Sequence, residues 1–110
     1  MKKIELIPLN KINYRKEFWK GTKFRRYNVG LNVKDEQDNY FDYMLVYVGW
    51  EMYSLMLVNI TENSYDAGFV YGSVIPVDES LDRMVVRVKD LKAVFGEESK
   101  DWYLIKESYE

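Results

Sequence analysis

The chain has 110 residues, a net charge of −2 and neither cysteine nor histidine. That length fits one domain with a real core. The composition excludes disulfides, thiolate metal sites and cysteine nucleophiles, together with the usual general base near neutral pH and the usual zinc ligand. The charge is unevenly placed, because nine Lys or Arg stand against Glu5 and Glu17 up to Tyr27, while the remainder is strongly acidic.

From the N-terminus, Lys3–Ile7 reads as a short strand stopped by Pro8. The apolar run there is broken by Glu5 and Pro8, unlike a signal peptide, and a cytoplasmic protein is expected. Asn10 is a candidate cap for a helix over Lys11–Lys20 closed by Gly21, and an irregular basic loop is the competing reading. Tyr27, Val29, Leu31 and Val33 then alternate with polar residues, as in a strand with one buried face. The polar cluster Asp35-Glu36-Gln37-Asp38-Asn39 forms the tip of a hairpin whose loop exceeds two residues.

Three strands follow, over Tyr40–Val48, Met52–Thr61 and Ala67–Ile75, and they hold most of the available core. The middle one places Leu55 and Leu57 on one face and Met56 and Val58 on the other, which predicts a central strand covered on both sides. Gly68 and Gly72 mark a bulge or a close backbone approach in the third, and Pro76 ends it. Glu51 interrupts the apolar stretch from Tyr43 to Ile60, so strands are favoured over a membrane span. Asn59-Ile60-Thr61 matches a glycosylation pattern but reads as the end of a strand.

A short strand over Met84–Val88 precedes a helix of at most two turns, with Asp90 as candidate N-cap, Leu91, Val94 and Phe95 on its apolar stripe and Gly96 at its end. Glu97–Asp101 is a charged turn, and Trp102–Ile105 a final strand. The fold class is therefore α+β, a single domain over residues 1–110, mainly an antiparallel sheet of five to seven strands with one or two short helices.

Two surface readings compete. The acidic residues Asp35, Glu36 and Asp38, with Trp50, Glu51 and Tyr53 beyond the next strand, combine charge and aromatic anchors suited to a basic protein partner. In the basic N-terminal third, Trp19, Lys20, Lys23, Arg25 and Arg26 suit a single-stranded nucleic acid, since cations track phosphates and aromatic rings stack on bases. The bland reading of each is that the aromatics belong to the core and the charges to solvent. The acidic loop lacks the order of a calcium-binding loop, and no phosphate-binding glycine loop is present. No catalytic group, metal or cofactor is assigned, and self-association through an exposed strand edge is compatible with either surface.

Leu55–Thr61, Ala67–Tyr71, Ile75–Glu79, Val88–Phe95 and Trp102-Tyr103 occur in an order that resembles the immunity protein 45 family of bacterial polymorphic-toxin systems. The likeness covers about half the chain. Glu62–Asp66 replaces a tighter glycine-containing turn of that family, and Leu91 and Phe95 stand where tryptophans are expected. The resemblance implies a cytoplasmic inhibitor that binds a cognate toxin without catalysis, and it assigns no binding residues.

Overall fold

The computed structural model describes residues 2–30, 38–47, 55–62, 64–74 and 85–109. Among these residues eight strands and one α-helix are formed: β1 (Lys2–Pro8), β2 (Glu17–Trp19), β3 (Lys23–Tyr27), β4 (Tyr40–Tyr47), β5 (Leu55–Asn59), β6 (Val70–Val74), β7 (Val85–Arg87), α1 (Val88–Phe95) and β8 (Trp102–Tyr109). Six of them make an antiparallel sheet in the order β1-β8-β3-β4-β5-β6, and β2 pairs separately with β7. The α+β class and the six-stranded sheet agree with the sequence reading.

One face of the sheet carries the core. Strand alternation sends Phe24, Tyr43, Leu45, Leu55, Leu57 and Val74 to that face, all buried, where Val88, Leu91 and Phe95 of α1 pack on them. The aromatic centre is built on Trp102, which is fully buried and stacks on Phe95 with ring centroids 3.8 Å apart and planes 6° apart. Tyr43 and Tyr71 close its sides at 5.1 and 5.3 Å. Trp102 is thus a core residue. The opposite face holds Met44, Val46, Met56 and Val58, only half-buried, so β5 is central in the sheet but less covered on that side than its apolar pattern predicts.

The helix expected over Lys11–Lys20 is not formed. Its place is taken by a 3-10 turn at Leu9–Lys11, an Asx turn in which Asn13 Oδ1 accepts the Arg15 N–H at 2.9 Å, and β2. The reason is tertiary: the carbonyls of Lys16 and Tyr14 accept the N–H groups of Val88 and Lys89 at 3.2 Å, satisfying donors that the first turn of α1 leaves open. An extended segment also lets Phe18 enter the core against Phe24 at 5.3 Å, while Trp19 stays exposed.

The strand expected to begin at Tyr27 instead ends there. Asn28 takes a positive φ of 61° and Gly30 one of 81°, which breaks the extended run. Leu31 and Val33 lie outside the described residues, as does Pro76. The hairpin itself is present, since β3 and β4 pair from Lys23 with Met44 to Tyr27 with Tyr40. Asp90 is not the N-cap of α1 but its third residue, and its buried carboxylate accepts the Arg87 N–H at 2.8 Å. A register shift between Leu57 and Val58 on the β5–β6 ladder gives the expected bulge beside Gly72, whereas Gly68 lies in the preceding turn with φ 91°.

Asn59 is 3% exposed, and its side-chain oxygen accepts the Thr61 N–H at 2.9 Å. The glycosylation pattern is therefore a strand end, as the sequence reading has it. No helix among the described residues is long and apolar enough to cross a membrane.

Candidate binding groove

Antiparallel pairing brings the β3–β4 and β5–β6 connections to the same end of the sheet. Past Asn59 the chain stays fastened to β4: the Ile60 N–H donates to the Asp42 carbonyl at 2.8 Å, and the Asp42 N–H to Thr61 Oγ1 at 2.8 Å. Three successive turns follow, with Ser64, Ala67 and Phe69 donating to the carbonyls of Thr61, Ser64 and Asp66. Ser64 Oγ fixes the Asp66 N–H at 3.1 Å. This folded connection stands beside Asp38, Tyr40 and Phe41 and encloses a groove of about 380 Å³.

Three carboxylates line the groove, from Asp38, Glu62 and Asp66, together with Tyr40, Phe41 and Tyr65, and among the described residues no cationic side chain does. Tyr65 is fully exposed, and Phe69 and Val70 are 65% and 53% exposed a few residues on. Acids beside exposed rings offer charge attraction and apolar contact together.

Tyr40 is backed by an ion pair. Arg25 meets Asp42 in a two-point ion pair, Nε to Oδ1 at 2.8 Å and Nη2 to Oδ2 at 3.1 Å, while its guanidinium carbon lies 3.9 Å from the Tyr40 ring centre. Hydrogen bonding to Asp42 raises the Arg25 pKa above its already high ordinary value, partly opposed by burial. Arg25 is thereby held charged and in one place.

Of the acidic residues singled out in the sequence, Asp38 lines this groove. Asp35, Glu36, Trp50, Glu51 and Tyr53 lie outside the described residues. Glu62, Tyr65 and Asp66, read from sequence only as a longer turn, complete the groove. Their signal was topological, because in an up-and-down meander alternate loops share one end of the sheet.

The basic set is dispersed. Lys23 pairs with Glu107 at 3.1 Å and Arg26 with Glu98 at 3.0 Å, in addition to the Arg25–Asp42 pair. Alternation along β3 puts Lys23 and Arg25 on one face of the sheet and Arg26 on the other, over the Tyr71 ring at 5.5 Å. Trp19 and Lys20 are exposed on a different element. Three of these four cations are ion-paired, so they do not form the continuous positive track that a phosphate backbone needs.

No family model matches the chain, and neither a curated protein nor a solved structure does. Among the described residues no three His, Cys, Asp or Glu side chains are grouped to hold a metal ion.

Proposed function

We propose that this chain is an immunity-type binding protein, which neutralises a basic toxin domain by one-to-one contact and performs no chemistry of its own. The observation that carries this reading is the groove beside the start of β4 and the end of β5, where three carboxylates stand with the exposed ring of Tyr65 and no cationic side chain among the described residues lines the space. A lysine or arginine from a partner entering there meets attraction from Asp38, Glu62 and Asp66 and the exposed ring of Tyr65. The likeness of the second half of the chain to immunity protein 45 supplies the class of partner. In this reading Asp35 and Glu36, which adjoin Asp38 in sequence, remain proposed partner contacts.

The test is capture of partners from the native host with the tagged protein at moderate salt, identifying bound protein and nucleic acid together. Recovery of one basic, toxin-like protein in near-equal amount is the expected result. The double substitution Asp38→Lys and Asp66→Lys then weakens that complex by roughly a hundredfold, mostly through faster dissociation and partly through slower association. Unchanged affinity overturns the assignment of the groove, and capture of nucleic acid alone overturns the protein-partner reading.

A further inference from the structure

We propose that this protein self-associates as a two-fold dimer through the outer edge of β1, with Ile4 meeting Ile4 of a second copy on the axis. β1 is seven residues long and terminates the six-stranded sheet, and among the described residues nothing pairs with its outer side. Lys2 to Glu5 are exposed although β8 holds the inner side along the whole length of β1. Ile4 is 48% exposed, beside Leu6 on the same face of the sheet.

The sequence of this edge selects its own register. In an antiparallel strand pair, two opposed residues either both turn their N–H and C=O groups toward the shared edge or both turn them away, and their side chains share one face. Two copies of β1 can therefore meet only with the axis at a residue, not between residues. An axis at Lys2 or Lys3 sets like cations against each other, and one at Glu5 sets like carboxylates against each other. An axis at Leu6 gives the same overlap within β1 but brings in Pro8, which has no N–H to donate. With the axis at Ile4, Lys3 faces Glu5 of the second copy twice, Lys2 faces Leu6, and the two isoleucines touch.

Charges that blunt an edge against random pairing thus permit one complementary pairing. The other edge of the sheet is less suited, because the register shift on β6 distorts its ladder. The β1 edge is separated from the groove by β8 and β3, so each copy in the dimer keeps its groove open. A single strand pair is a small interface, and the dimer forms in the micromolar range or weaker.

The experiment is sedimentation velocity from about 1 μM to about 1 mM protein, with thermal melting of each variant to confirm the fold. The wild-type chain shifts from monomer to dimer across that range. Lys3→Glu raises the dissociation constant roughly tenfold or more, and Lys3→Glu combined with Glu5→Lys restores it.

Because the chain has no cysteine, Ile4→Cys gives a specific readout. Opposed Cα atoms lie about 5 Å apart on the axis, within disulfide reach, so mild oxidation yields a covalent dimer. Lys2→Cys places its two thiols several residues apart and gives none. A monomer at every concentration overturns the proposal, as does a dimer that is indifferent to Lys3→Glu or fails to cross-link through Cys at position 4. None of these results depends on finding a toxin.

Discussion

Replacing Asp42 by Asn keeps the shape of the side chain and removes its charge, leaving Arg25 against a neutral amide whose NH2 group opposes one of its own donors. The Arg25 and Asp42 side chains are 15% and 20% exposed. Breaking a fully buried pair by removing one partner costs about 3–5 kcal/mol, and an exposed pair contributes about 0–1. The two-point geometry and partial burial put this pair between those limits, at about 2 kcal/mol. For a chain of this size that lowers Tm by roughly 10 °C without unfolding the protein at room temperature. Arg25→Met also loses the contact with Tyr40, so its loss is somewhat larger. The measurement is urea unfolding of the wild type, both single variants and the double variant at pH 7, in low and high salt. A coupling energy above about 1 kcal/mol that salt reduces only modestly is expected. A loss below about 0.5 kcal/mol for Asp42→Asn would refute the argument that this bridge holds Arg25 against Tyr40.

Other consequences can be checked by the same unfolding measurements. Glu107 bonds both Lys23 and Lys2, and these hydrogen bonds lower its pKa from the ordinary 4.5. The associated stability is present above that value and lost as pH falls through the lowered one, so Glu107→Gln flattens the acid side of the stability profile. Burial, the leading cause, raises the pKa of Tyr43 and Tyr71 above 10.0. The unfolded chain then ionises first, stability falls as pH rises past about 10, and Tyr43→Phe with Tyr71→Phe reduces that fall. Asp90→Ala removes the carboxylate that accepts the Arg87 N–H and costs about 1–2 kcal/mol in chemical denaturation, with the loss persisting in high salt. Gly96 ends α1 at φ 59°, ψ −130° with open space on the side where a methyl group would project, so Gly96→Ala costs about 1–2 kcal/mol from backbone strain alone.

Segments whose side chains state their own burial were legible in the sequence. β4, β5, β7, α1 and β8 announced themselves through runs such as Leu55-Met56-Leu57-Val58 and the spacing of Leu91, Val94 and Phe95. β3 was hidden because Lys23-Phe24-Arg25-Arg26-Tyr27 offers one core residue among three cations. It becomes a central strand only because Glu107, Asp42 and Glu98 arrive from elsewhere to pair those cations. β2 was hidden for a related reason: Glu17-Phe18-Trp19 is extended because of what it packs and bonds against, with little in its local pattern to say so. The groove was half legible. Asp38 stood in a recognisable acidic loop, but its companionship with Glu62 and Asp66 is a property of strand pairing and requires the register to be known.

The placement of β8 also bears on how the chain assembles. Lys2 pairs with Tyr109 and Pro8 with Tyr103, while the other side of β8 pairs with β3. The strand made late in synthesis is therefore the one that joins the earliest to the rest. Until it emerges, β1 has no neighbour, β3 lacks one of its two, and Phe95 has no indole to stack on. The meander of β3 to β6 can form from contacts near in sequence, but closing the sheet requires the most distant contacts in the molecule, and these form slowly. A nascent chain stalled before Trp102 would expose two unsatisfied strand edges, which makes the final segment the natural point at which quality control or aggregation acts.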